Sequence, residues 1–569
     1  MIAGHKGHYA AGPVTMSVRL ALSAPSLGGF CLLSMLGLQN AAAASPDSTA
    51  VLPRPPPASE KARGTDYHPE FWLADPRISA SPGEPDVLRF SVHGEYQIRG
   101  EGLSQLRLSD YDIQGYRNHL GQPRRLWHYF RWTPVLTYRT NVRVIAQLDV
   151  PTGLALGAHT KQVDADYDSL SERQPMALKP RWLYAEIAAN HGIFRIGQQP
   201  ATWGSGLLFN SGDERLAFGD PRGGTIVERV SWKGRPLGGR SRFELLVASD
   251  LVFADTRTRL ADGDITVQSL LGASYVGSPQ RRIGLLLLGQ ERRPNVSDRG
   301  SRLGKPVERT ITLDAAGSWN FLVPGQATHV FAEGEFAQVL GVTQSGDFGK
   351  SANGDQSSLR KLGVFARVGA VSTRGVANNR WGHFGVSLEW AWASSDSNSN
   401  DNADTRFVFE PNRRIGLVLF DEVLRWKSAR AAVAGQALSN GFRVPRDIAS
   451  QGGLYGATYI APSILFRPLA RLDVRGSFLV AQSTGNFVDP VRMRLTGECR
   501  NYDGGDCHAR DLGLELDAGI EYRQPLEGGM ATSLGAQAGI FVPGHAFDDA
   551  FGNKMGNQSV VIGRFGFYL

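Results

Sequence analysis

The side chains able to do chemistry fall into three sets. The first is a cysteine pair, Cys499 and Cys507, in the short stretch ECRNYDGGDCH, with His508 directly after the second cysteine. In an exported loop two such thiols read first as a disulfide. A metal held by both sulfurs and His508 is the alternative. The second set is mixed charge in long polar segments. TWGSGLLFNSGDERLAFGDPRGG carries Asp213, Glu214, Arg215, Asp220 and Arg222, and residues 405–434 carry Arg406, Arg413, Arg414, Asp421, Glu422, Arg425 and Lys427. Charges of both signs suit a path for charged solutes. They do not assemble a nucleophile and its base, and the 12 histidines show no recurring His-Ser or His-Asp spacing. No enzyme and no cofactor is expected. The third set is Asp164, Asp166 and Asp168 in VDADYDSLSER, which begins like a calcium loop but lacks Gly at the sixth position and Glu at the twelfth. A flexible acidic loop, with no resident metal, is the expectation there.

The elements that must position these groups show in a period-two pattern. In RFSVHGEYQIRGE, Phe90, Val92, Gly94, Tyr96 and Ile98 alternate with Arg89, Ser91, His93, Glu95, Gln97, Arg99 and Glu101. The same alternation runs through NVRVIAQLDV, LARLDVRGSFLVAQ and DLGLELDAGIEYR. Each is a strand with one apolar and one charged face. In DLGLELDAGIEYR, Leu512, Leu514, Leu516, Ala518, Ile520 and Tyr522 fall on the apolar face.

Short turns and long polar loops then take turns along the chain. Tyr138 to Asn141, Asn190 to Gly192 and Ser278 to Arg281 are short, whereas 102–124, 153–178, 201–223, 394–451 and 483–510 are long. That asymmetry belongs to membrane barrels, and counting under it gives about 18 strands. The strands are expected to begin near 88, 125, 142, 179, 193, 224, 241, 265, 282, 308, 327, 359, 381, 452, 470, 511, 530 and 559. The fold class is therefore all-β, a transmembrane antiparallel β-barrel with short periplasmic turns and long extracellular loops. Trp132, Trp232, Trp319, Trp390, Trp392 and Tyr568 near strand ends suit aromatic girdles.

Both ends of the chain agree with export. Met16 to Ser45 has a positive residue (Arg19), an apolar run (Leu20 to Leu38) and small residues for cleavage (Ala41 to Ala44), so residues 1–44 read as a signal peptide. Met16 is an alternative start. Residues 45–87 are Pro-rich and aperiodic and read as a periplasmic linker; the barrel is assigned to 88–569. No run of about 18 uncharged apolar residues follows residue 45, which argues against membrane-spanning helices. Lys and Arg total 61 against 54 Asp and Glu and are scattered, so nucleic acid is not an expected partner.

The last ten residues, VVIGRFGFYL, resemble the terminal assembly signal of outer-membrane proteins, with Phe565 and Phe567 in register and Leu569 in place of the usual terminal aromatic. The resemblance implies the outer membrane of a Gram-negative bacterium, lipid as surroundings and the barrel-assembly machinery as a partner. An oligomer is compatible with the pattern.

A barrel this wide has room for a path, and its wall is read as mixed in sign. On one hairpin, Glu186 faces Arg195 and Gln199 across a short turn; pairing within the wall is weighed above contact with a solute. The loop 394–451 is unusual. It opens on SSDSNSNDNAD and then becomes too apolar for water, so Ile415 to Ala434 is expected to fold into the lumen as a plug, as an amphipathic helix or a strand pair. Within it FVFEPNRRIGLVLFDEVL, residues 407–424, resembles a segment of the alginate-export family of outer-membrane barrels. That resemblance implies an 18-strand barrel conducting an anionic polysaccharide through a basic pore. The expected function is a channel for polar or charged solutes, porin-like or polysaccharide-export-like. The alternatives are a receptor or structural barrel without open conductance and, less favoured, a rim-site hydrolase.

Overall fold

The computed structural model describes residues 88–569 except 112–117, 121–123, 140, 157–176, 190–191, 214–215, 221–222, 239–240, 279–280, 296–306, 324–327, 344–356, 374–381, 439–446 and 470. The signal-peptide and linker assignments, the acidic triplet at Asp164 and the candidates Glu214, Arg215 and Arg222 lie outside the described residues.

Eighteen long strands form one ring. They are β1 (Leu88–Leu103), β2 (Arg124–Tyr138), β3 (Val142–Leu156), β4 (Ala177–Ala189), β5 (Gly192–Pro200), β6 (Ile226–Gly234), β7 (Phe243–Ala254), β8 (Ile265–Ser278) and β9 (Arg281–Arg293). The circuit continues through β10 (Glu308–Leu322), β11 (Thr328–Thr343), β12 (Ser357–Thr373), β13 (Gly382–Ala393), β14 (Ala457–Leu469), β15 (Leu472–Ser483), β16 (Asp511–Pro525), β17 (Ala531–Pro543) and β18 (Gln558–Tyr568). Each pairs antiparallel with the next, and β1 pairs with β18 from Glu95 opposite Tyr568 to Leu103 opposite Val560. No edge is left to fray or aggregate. An even strand count puts both ends of the ring at one rim, with the short turns; the long loops crown the other. The strand expected near 452 begins at Ala457, because residues 450–456 stay in the preceding loop.

Burial is inverted relative to a protein dissolved in water. Leu183, Ile283, Leu534 and Val561 point outward and are mostly uncovered, while Gln147, Glu186, Asp314 and Glu515 point inward and are buried. Leaving a large aliphatic side chain in water forgoes about 1.5–3 kcal/mol. An exterior made of such residues around the whole ring is matched to an apolar solvent. The backbone satisfies itself strand to strand, as a non-aqueous surrounding requires.

Two positions leave the simple alternation. Leu512 was expected on the outer face but is buried inside. A register shift between Ala481 and Gln482 on β15 marks a bulge on β16, and Gly513 there takes φ +108, so the side chain before it is turned inward. Tyr568, expected in an outer girdle, is also buried, beside the Ser533 hydroxyl at 3.2 Å. Its parity is opposite to that of Phe565, which is exposed on the outer face.

The centre of the barrel is filled. Among the described residues the largest apolar cluster lies inside the ring and joins inward residues such as Phe365, Tyr459 and Phe541 to loop residues such as Leu207, Phe420 and Trp426. A second cluster, Leu286 and Leu288 of β9 with Phe209 and Val227, underlies the base of the loop after β5. Gly513→Ala is expected to cost the fold about 1–3 kcal/mol, because a Cβ there would meet the Val542 carbonyl oxygen at 2.2 Å. Urea unfolding in micelles followed by tryptophan fluorescence measures this, and an unchanged midpoint would count against the bulge.

Candidate functional site in the barrel lumen

Two loops occupy the lumen. The first, L3 (201–225), leaves β5 and crosses to the opposite wall. At its start, the Trp203 indole donates to Asp314 on β10 at 2.8 Å. The Ser205 and Leu207 N–H groups both donate to the Glu335 carboxylate on β11. Midway, Asp213 accepts from Arg131 on β2 at 2.7 Å, while Arg131 also forks onto Asp149 at 2.7 and 2.9 Å. Farther on, the Gly219 N–H donates to Gln537 on β17 at 3.0 Å. Asp220 receives Arg99 of β1 at 2.7 Å and Arg564 of β18 at 3.0 Å. Burial alone would raise the Asp220 carboxyl pKa, but Arg564 and Arg99 outweigh it and hold the group well below the ordinary range. L3 is thus strapped to β10 and β11 on one side and to β1, β2, β17 and β18 on the other.

Arg181 is part of this anchorage, although its place in the strand's alternation does not reveal it. The β3–β4 register shifts beside it, so the side chain points inward, where it donates to Gln147 at 2.6 Å and to the Ser211 and Gly223 carbonyls at 2.9 Å.

The second loop, L7 (394–456), packs its described residues into the lumen. Residues 414–416 have no regular structure and the chain bends at 417–418; Leu419–Leu424 then forms a wide π-type turn, and α1 (Arg425–Leu438) follows. The expectation of an amphipathic helix or strand pair is not met: residues 415–435 are buried on every side. A helix enclosed all round has no face to reserve for water. Its entry is fixed by Glu515 on β16, which accepts from the N–H groups of Leu417, Val418 and Leu419 at 2.6, 2.8 and 2.6 Å.

The charged residues of L7 pair or stack within the packed loop and against the wall. Arg414 pairs with Asp421 at 2.7 Å. Arg413 reaches Glu389 at 3.0 Å and lies over the Phe365 ring at 3.7 Å. Glu422 accepts from the Trp426 indole at 2.6 Å and faces Arg125 at 3.5 Å. Arg425 stacks on Trp426, and Arg406 stacks on Tyr455 while donating to the Ile448 carbonyl. Lys427, fully buried, is held by Asp503 at 2.7 and 2.8 Å and by the Arg107 carbonyl at 2.9 Å. Charges carried into an apolar cluster must find partners, which is why these cations turn inward to one another's acids.

Asp503 belongs to the loop between β15 and β16, where Cys499 and Cys507 form a disulfide. Both sulfurs are consumed by that bond, and His508 instead faces Asp506 at 2.9 Å. In the same loop Asp489 caps the short helix α2 (Pro490–Thr496), accepting from Val491 and Arg492 N–H, with the Tyr111 hydroxyl donating at 3.2 Å. Burial raises the Asp489 carboxyl to about 6 despite these donors. Between L3, L7 and the β9–β12 wall there remains a cavity of about 160 Å³, bordered by Arg257, Lys361, Arg406, Glu308, Glu410 and Asp447.

Of the hairpin candidates, Glu186 and Arg195 meet at 2.7 Å. Gln199 is buried and donates to the Arg229 carbonyl at 3.3 Å, a bond within the wall.

No family model matches the chain, and no curated protein matches it. Among solved structures, Pseudomonas aeruginosa OccK5 (OpdH) aligns over 84% of this chain and 98% of its own, at 9% identity and TM-score 0.42. P. aeruginosa OccK2 (OpdF), solved in complex with glucuronate, aligns over 84% and 98% at 9% identity and TM-score 0.41. Acinetobacter baumannii OccAB1 aligns over 84% and 96% at 8% identity and TM-score 0.43. At these values the likeness carries no argument about function.

Glu515→Ala would leave three buried N–H groups without their acceptor. Amide exchange at Leu417–Leu419 is expected to speed up by about 10- to 100-fold, read by hydrogen–deuterium exchange; unaltered protection would sink the capping role. For Asp489 the folded protein binds the proton more tightly than the unfolded chain, whose value is ~3.9. Its contribution to stability is therefore complete below that value and fades as pH rises towards about 6. Asp489→Asn should flatten this decline in a pH series of thermal midpoints.

Proposed function

We propose that this protein is an outer-membrane channel of a Gram-negative bacterium, passing polar or charged solutes through a lumen narrowed by L3 and closed towards the loop rim by the L7 plug. The observation that carries the reading is the inversion of the wall: a continuous apolar exterior around an interior of paired charges, with two long loops folded into it. An apolar belt of this kind is stable against acyl chains, and a polar lumen serves solutes that lipid excludes. No covalent step is assigned to it. Lipid and the assembly machinery acting on β18 are its expected partners.

The finer form of this reading, export of an anionic polysaccharide, draws on the resemblance of residues 407–424 and would show as block of conductance by added alginate. A second reading has its own support. The lumen is so well filled that a receptor or structural barrel without conductance fits the apolar cluster inside the ring.

Planar-bilayer recording separates the two. The intact barrel is expected to show small, infrequent openings, and removal of 405–434 should raise conductance several-fold. Equal conductance in both forms would overturn the plug, and silence in both would favour the receptor or structural barrel.

A further inference from the structure

The outer face of the wall carries few charges, and they are not spread evenly. On β9 and β10 the odd-numbered side chains face out: Ile283, Leu285, Leu287, Ile311 and Leu313 are exposed, while Leu286, Leu288 and Arg292 are buried. Followed to the loop end, the same outer face finishes in Glu291, Arg293 and Arg309. Arg293 Nε and Arg309 Nε both donate to the Glu291 carboxylate, at 2.8 and 2.9 Å. Both guanidiniums remain open, at 55% and 68% exposure. Two strands on, Arg360 of β12 is exposed on the same face, opposite the outward Leu340 of β11. Three cations thus surround one acid among the described residues.

The rest of the circumference differs. From β13 to β18 the one charged side chain at an outward strand position, among the described residues, is an acid, Asp511, opposite the exposed Gln482. Arg124, at the start of β2, is outward at the loop rim but stands opposite Gly102, away from the other three cations. The height of the patch follows from strand geometry. Along β10, Arg309 lies ten residues from Trp319, an exposed aromatic at the turn end. Ten residues at ~3.4 Å each, tilted by roughly 40°, climb about 26 Å. The apolar band of a membrane barrel is about 25 Å tall. The guanidiniums therefore stand where hydrocarbon gives way to headgroups, with Leu285, Leu287, Ile311 and Leu313 below them.

We propose that the loop-end outer face of β9–β12 is a docking site for a lipid whose headgroup carries more than one phosphate. The proposal names a partner of the barrel exterior and rests on the outer-membrane reading. A guanidinium offers a phosphate two parallel N–H donors and keeps its charge at every physiological pH. Arg293 and Arg309 are diagonal neighbours, ~7–8 Å apart, and β12 lies two strand spacings from β10, ~10 Å. That spread matches two phosphates on one headgroup better than a single small anion. Glu291 orients its two arginines, and its one charge leaves the patch positive. The aliphatic face directly below supplies a seat for acyl chains, which a soluble anion lacks.

The test is native mass spectrometry of the full barrel released from micelles. The probe is bisphosphorylated lipid A, with its dephosphorylated form and inorganic pyrophosphate as comparisons. The bisphosphorylated lipid is expected to be retained more tightly than either. Arg360→Gln should weaken its retention about fivefold, and Arg293→Gln with Arg309→Gln about thirtyfold. Arg124→Gln should leave it unchanged. A β-type far-UV spectrum confirms folding of each variant, and the single Arg360 change serves if the double variant fails that check. Equal retention of the two lipid forms, unaltered retention in the folded patch variants, or the same loss in Arg124→Gln would each overturn the site. Pyrophosphate bound as tightly as the lipid would assign the patch to soluble anions and overturn it too. A barrel that conducts in planar bilayers without this lipid preference would remove the site and keep the channel; the preference in a barrel that never conducts would do the reverse.

Discussion

The whole molecule depends on one constraint: every strand must have two hydrogen-bonding neighbours. β1 meets that demand only by pairing with β18, four hundred and more residues away in the chain. Once the ring closes, alternate side chains are divided into an outer apolar set and an inner polar set with no further choice. The interior is then a confined space whose filling decides what the barrel does. Here it is filled by chain, with L3 drawn across it by wall charges and L7 packed into it by apolar contact.

These two loops are held by different physics. L3 lends Leu207 and Phe218 to the central apolar cluster, but its course is set by ion pairs and by N–H groups aimed at Glu335. Such contacts are directional and place a loop accurately. L7 is held mainly by burial, with Glu515 fixing where its turn begins. The polar anchors give position and the apolar cluster gives adhesion.

Much of this was legible in the sequence because a strand's period is two. Alternation fixed which face of β1, β3 and β15 turns inward, and loop lengths fixed the strand count. The burial of this segment was legible because Leu417, Leu419 and Trp426 have no business in a solvated loop. What stayed hidden breaks the period. Leu512 and Arg181 point inward because a register shift beside each moves them off the alternation, and nothing in either residue type announces a bulge. The partners of the L7 charges were hidden for another reason: Lys427 and Asp503 lie in different loops, and only the packed lumen brings them together.

Asp220 bears on how the protein matures. Its two guanidinium partners stand on β1 and β18, the first and last staves of the ring. They come within reach of one carboxylate only when the seam is shut. The loop across the lumen therefore gains its full anchorage last, and a half-zipped intermediate holds it by fewer bonds. A single acid thereby couples the completion of the wall to the setting of what lies inside it.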